Sequence, residues 1–191
     1  MALLTTASTG ASASRSRALL SLAFAGCLAL LGACTTMDAG PPPKLESNAR
    51  WTVLPFVNHT ETPQAGLRAE SIAENLLRAG GVSKLTRYPA SLNTETLFEP
   101  MDRKQRDAAL EWARRENIRY ALAGGVDEWR YKVGIDGEPA VGLTLQVIDV
   151  SSGDVLWASA AGGTGWSREA LSALAQKLLR GQLAPVINAA R

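Results

Sequence analysis

Histidine occurs once and cysteine twice in these 191 residues. That scarcity removes whole classes of chemistry. His59, the one histidine, has no second imidazole with which to share a metal, and few partners for a nucleophile–base pair. Neither Gly124-Gly125 nor Gly162-Gly163 is followed by a helix at the spacing of a phosphate-binding loop. Asp127 and Glu128 are adjacent carboxylates in a strand-like run, so they point to opposite faces and do not converge as an acid–base pair. No unit repeats along the chain. No apolar run reaches the roughly 20 residues that a membrane-spanning helix needs. The sequence thus predicts a protein without catalysis, bound metal or cofactor.

The one long apolar run does something else. Arg15 and Arg17 precede an apolar stretch from Ala18 to Ala33, which ends in Leu31-Gly32-Ala33-Cys34. A basic start, an apolar middle and small residues before a cleavage point make a secretory signal peptide. A plain signal with an incidental cysteine is the simpler alternative. The position of Cys34 resembles the lipobox of bacterial lipoproteins, in which the cysteine becomes the first residue and its sulfur carries lipid. Cys27, after Ala25-Gly26, offers a second site but leaves a shorter apolar segment. The preferred reading is a signal over residues 1–33 and a lipidated Cys34, with covalent lipid as the only attached group.

Cleavage changes the charge balance. The chain has 20 basic and 18 acidic residues. The signal carries two of the arginines and no acid, so the mature chain holds 18 of each sign. Zero net charge gives no electrostatic reason to expect a nucleic-acid partner. The one remaining cysteine is expected to carry lipid, so no disulfide can form within the chain. By the lipoprotein likeness, Thr35-Thr36 without an aspartate directs the protein to the outer membrane, facing the periplasm.

Residues 34–49 follow as the lipidated cysteine and a polar segment stiffened by Pro41-Pro42-Pro43. Composition predicts a flexible linker. Fully extended it reaches about 50 Å. Residues 50–191 then form a single periplasmic α/β domain.

Within that domain, 51–56 reads as a short strand with Pro55 near its end. Thr62-Pro63 reads as cap and first residue of a helix carrying Ala65, Ala69, Ile72, Ala73, Leu76 and Leu77 on one face, stopped by Gly80-Gly81. Val82–Tyr88 alternates as a second strand. Asp102 and Gln105 resemble a capping box for a helix with Ala108, Ala109, Trp112 and Ala113 inward. Residues 120–133, 141–150 and 155–161 predict an antiparallel meander, with turns at Asp136-Gly137 and Ser151–Asp154. A last helix begins at Ser167, with the stripe Leu171, Leu174, Ala175, Leu178, Leu179 and Leu183. The expected fold is a mixed sheet of about five strands packed with three helices.

Two places admit a functional reading. Trp166 follows the Gly162–Gly165 run in a protein expected to sit at a bilayer, and tryptophan favours the membrane–water interface. The alternative is a hydrophobic staple: with Ser167 as N-cap, Trp166 and Leu171 have the staple spacing. Asp136 and Glu138 sit at a hairpin tip. The alternative there is a plain Asp-Gly turn with a solvated glutamate.

The segments W-T-V-L-P-F-V-N-H-T-E-T-P-Q-A-G (51–66), E-W-R-Y-K-V-G-I-D-G-E-P-A-V-G (128–142) and G-D-V-L-W to G-W-S (153–167) resemble the PelC family of outer-membrane lipoproteins. The likeness covers essentially the whole mature domain. It implies a ring of about a dozen subunits beneath a porin subunit, PelB. In such a ring an acidic funnel guides a partly cationic exopolysaccharide toward export and biofilm formation. Each subunit touches outer-membrane lipid through a tryptophan. Matched by motif, the membrane tryptophan is Trp166, and the funnel acid is Asp136, with Glu138 beside it. Two other lipoprotein types are the alternatives. An activator of a peptidoglycan synthase, of the LpoB type, needs a long linker to reach the cell wall. A self-inserting channel of the CsgG type needs hairpins long enough to cross a bilayer.

Overall fold

The computed structural model describes residues 35–92, 103–134 and 137–191. Among them are seven strands and three helices. The strands are β1 (Thr35–Ala39), β2 (Trp51–Val53), β3 (Val57–Asn58), β4 (Leu85–Arg87), β5 (Tyr120–Tyr131), β6 (Pro139–Asp149) and β7 (Val155–Thr164). The helices are α1 (Ala65–Ala79), α2 (Arg103–Arg115) and α3 (Leu171–Ala190). The strands form one sheet in the order β1-β7-β6-β5-β2-β4, with β3 also on β5. β2 runs parallel to β4 and β5, and β5, β6 and β7 form the antiparallel meander. This is the mixed α/β sheet expected.

The sheet is buried on both faces because β5 alternates two apolar sets. Tyr120, Leu122 and Val126 face one cluster, while Ala121 and Ala123 face the other. The first face takes α1 through Ala65, Ala69, Ala73 and Leu77, and α3 through Leu174, Leu178, Leu179 and Leu183. The second takes α2 through Ala109, Trp112 and Ala113. There Trp112 meets Tyr88 edge-on at 5.1 Å between ring centres, a favoured aromatic geometry.

The expected strand 51–56 is interrupted. Pro55 has no N–H to give the ladder, so pairing breaks between β2 and β3. Both halves stay on β5, because the Leu54 N–H donates to the Leu122 carbonyl and the His59 N–H to that of Val126. Helix α1 begins after the predicted Thr62-Pro63. Gln64 is its N-cap, at φ 60° and with no side-chain capping bond. The Thr62 hydroxyl donates instead to the Trp129 carbonyl. Of the predicted capping box of α2, Asp102 lies outside the described residues.

β5 carries a bulge between Val126 and Glu128. The extra residue resets the alternation, so that Val126 and Trp129 are both in the first-face core. Asp127 is exposed there, and Glu128 pairs with Arg130 at 2.9 Å. The β6–β7 turn is built on Asp149. Burial pushes its carboxyl up, but the Ser151 hydroxyl, the Ser152 and Ser151 N–H groups and the Arg119 guanidinium together hold it below the usual carboxylate value. Gly153, at φ 82°, completes the turn.

The largest departure from expectation is the segment read as a flexible linker. Residues 35–39 form an edge strand, antiparallel to β7, with Thr35 opposite Gly163 and Ala39 opposite Ser159. Met37 lies over Gly181 of α3, where an added Cβ would fall 2.7 Å from its methyl carbon. The Gly40 N–H donates to the Ala158 carbonyl, and the Trp157 indole N–H donates to the Gly40 carbonyl at 3.2 Å. Pro43 is buried, and Leu45 and Ala49 pack on the core. The Glu46 N–H donates to the Tyr120 hydroxyl. Small polar composition concealed a segment whose partners are backbone groups and one methionine-sized notch.

Candidate functional site

β5 and β7 end where β6 begins, and both candidate features lie at this end of the sheet. Trp166 follows β7 after one residue, Gly165. The Glu169 carboxylate accepts its N–H at 3.0 Å, and the Trp166 carbonyl accepts the Glu169 N–H at 2.9 Å. Arg168 takes a left-handed φ of 70° to close this turn, and the Gly165 N–H donates to the Pro139 carbonyl. The turn projects the indole outward, 55% exposed.

This geometry decides one alternative. Helix α3 begins at Leu171, with Ala170 as its N-cap, rather than at Ser167. Leu171 is then the first helical residue, not the fourth, and the staple spacing does not apply. The Tyr131 hydroxyl accepts the Leu171 N–H at 3.4 Å. That contact brings β5 to the same end. Tyr131 is 49% exposed and Val133 fully so. Tyr131 and Trp166 are thus both half-exposed at the same end of the sheet. The alternation of Trp129, Tyr131 and Val133 could have flagged them, but only the bulge fixes which face they take.

The hairpin tip between β5 and β6 carries the acidic candidates. Asp136 lies outside the described residues. Gly137 takes a left-handed φ of 51° with open space around it, which suits a tight turn. Glu138 is half-exposed, with Lys132 at 3.9 Å, and its carbonyl accepts the Lys132 N–H. Cys34 also lies outside the described residues, one position before β1.

His59 is exposed and stands apart from these groups. It lines a hollow of about 190 Å³ with Arg106, Gly124, Gly125, Thr144 and Gln146. No carboxylate lines that hollow. Among the described residues no three histidine, cysteine, aspartate or glutamate side chains are grouped to hold a metal. Nor is any described helix long and apolar enough to cross a membrane.

No family model matches the chain, and no curated protein matches it either. Solved structures do. A PelC dodecamer from Paraburkholderia phytofirmans is 44% identical, covering 80% of this chain and 97% of its own, with a TM-score of 0.67. A leucine-to-methionine variant of that dodecamer is 45% identical over the same shares, with a TM-score of 0.68.

Proposed function

The chain belongs to the PelC family, and from that premise we propose that it is a non-enzymatic outer-membrane lipoprotein, acylated on Cys34, whose copies close into a ring on the periplasmic face. The ring guides a partly cationic exopolysaccharide to the porin subunit PelB, for secretion and biofilm formation. The observation that carries this reading is the 44–45% identity to dodecamers over 80% of the chain. Head-to-tail contacts either close or grow without limit, so a family of dodecamers fits a closed ring here.

Trp166 and the hairpin take separate roles in it. An exposed indole repeated around a ring turns one weak bilayer contact into avidity. At the tip, Lys132 stands against Glu138, so the two charges largely cancel. Asp136 adds a second acid to the same hairpin in the sequence. Repeated around one mouth, such acids attract a polycation without a tight site, and salt weakens the attraction.

Sedimentation tests the ring. The acylated protein, extracted in detergent, is expected to sediment as one closed oligomer at every concentration above its assembly threshold. Monomer alone, with lipid present, would overturn the reading. Trp166→Ala is expected to change the stability of the domain by no more than about 0.5 kcal/mol, as at an ordinary surface site. It should nevertheless weaken liposome binding. Unchanged binding with a lowered melting temperature would assign Trp166 to packing instead.

A further inference from the structure

The loop after β3 holds His59 in a fixed place without using its ring. Asn58 Oδ1 accepts the Thr60 N–H at 3.1 Å and the Thr60 hydroxyl at 2.8 Å, and Asn58 Nδ2 donates to the Thr62 carbonyl at 2.9 Å. The Thr62 N–H donates to the Thr60 hydroxyl oxygen, and the Thr62 hydroxyl to the Trp129 carbonyl. With the His59 N–H on Val126, the backbone is pinned and the imidazole is left over.

That imidazole stands by Gly125, on the sheet face that α2 covers. Gly125 lies opposite Thr144, and a Cβ added there would fall 2.8 Å from Thr144 Oγ1 and 3.6 Å from the His59 ring. Glycine therefore keeps a floor open. Gln146 is two residues beyond Thr144, on the same face of β6. Arg106 comes from the first turn of α2. These residues line the hollow of about 190 Å³, the liquid volume of roughly six waters. Among the described residues, the side chains of His59, Arg106, Thr144 and Gln146 make no hydrogen bond or ion pair, and no carboxylate lines the hollow.

We propose that this hollow binds the phosphate group of a small soluble phosphate or phosphomonoester. The Arg106 guanidinium supplies the charge and a fork that fits two phosphate oxygens. The Gln146 amide, the Thr144 hydroxyl and an imidazole N–H supply the remaining donors. They come from three elements, so they surround a point rather than share a plane, which suits a tetrahedral anion better than a carboxylate. Gly125 is six residues of strand before Tyr131, about 20 Å. That distance sets the hollow back from headgroups at the Trp166 end. Only this last step rests on the reading that Trp166 meets lipid; the site itself is independent of the ring and the anchor.

The test uses the full mature protein, extracted in detergent as the assembled oligomer. His59 is the only histidine, so diethyl pyrocarbonate modifies one imidazole, and mass spectrometry of its peptide reads the rate. Inorganic phosphate at millimolar concentration is expected to slow this rate saturably, and glycerol phosphate to do the same. Sodium chloride at matched ionic strength should leave it unchanged, and acetate should slow it far less. Hydrogen exchange in α2 before Ala109 should slow with phosphate, because the bound ion joins α2 to β6. Arg106→Gln should weaken protection about tenfold or more by removing the charge-assisted pair. Thr144→Val keeps the branched side chain, removes its hydroxyl and should weaken protection less. Both variants are expected to melt as the wild type does.

No slowing by phosphate overturns the proposal, as does slowing that survives Arg106→Gln. Equal slowing by chloride would mean charge screening, and equal slowing by acetate a site for planar anions; either overturns the phosphate assignment. Protection by phosphatidylglycerol vesicles in phosphate-free buffer, with none from soluble phosphate, would assign the group to lipid instead. A His59 that reacts in dissociated monomer and not in the ligand-free oligomer would mean that a neighbouring copy covers the hollow, and would overturn the site as well.

Discussion

Replacing Gly66 by alanine is expected to lower the melting temperature of the mature domain by roughly 5 °C, against the gain that alanine ordinarily brings to a helix. Two effects oppose each other. Alanine in place of glycine inside a helix favours folding by about 1 kcal/mol. The new Cβ, however, would overlap the carbonyl oxygen of Phe56, and lie 3.3 Å from its carbonyl carbon. The obstacle is backbone, so no rotamer change relieves it. Phe56 is fully buried and follows Pro55, and α1 would have to retreat from the sheet. Its Ala69, Ala73 and Leu77 would then lose contact with β2 and β5. Overpacking costs about 1–3 kcal/mol, and more where backbone must move. The clash therefore outweighs the propensity. For a domain of this size each kcal/mol moves the midpoint by about 2–4 °C. Calorimetry reads it directly. An unchanged or raised midpoint would mean that α1 does not approach Phe56 this closely. Gly124→Ala is a useful companion, since its Cβ would meet the Phe56 ring at 2.6–2.7 Å. A ring can tilt where a carbonyl cannot, so the cost there should be smaller.

The second large effect is on location. Cys34→Ser is expected to remove acylation and shift the protein from the membrane fraction to the soluble periplasm. Several acyl chains on one residue anchor firmly, where a single chain is marginal. Trp166 alone, in the interfacial role proposed above, would add one side chain per monomer. Fractionation with mass spectrometry measures this. Wild-type protein found in membranes with an unmodified Cys34 would refute the anchoring proposed here. The serine variant should fold normally, because the ladder begins at Thr35.

Much of the fold was legible because burial leaves a period. The meander showed as apolar runs between Gly- and Asp-rich turns, and α3 as a leucine stripe. What stayed hidden had no period to show. All five residues of β1 are exposed, so they carry no alternation. Their pairing depends on a free edge of β7 more than 100 residues away. The bulge at Asp127 depends on register with β6, which no single strand encodes. The start of α3 was misplaced because Ser167 suggests an N-cap, whereas Arg168 adopts a left-handed backbone there. That same displacement separates Trp166 from the staple geometry. At the candidate site, Trp166 was picked out by its type and its glycine-rich approach. Tyr131 and Val133 gained meaning only once β5 and α3 met.

The pairing of β1 with β7 also bears on the order of events during folding. It joins the first described residues to a strand completed at Thr164. Contacts so far apart in sequence close late, because the loop between them must first be ordered. A chain threaded from its N-terminus therefore presents Cys34 before its neighbour strand has arrived. Acylation of Cys34, as proposed above, would then act on a segment whose pairing with β7 has not yet formed.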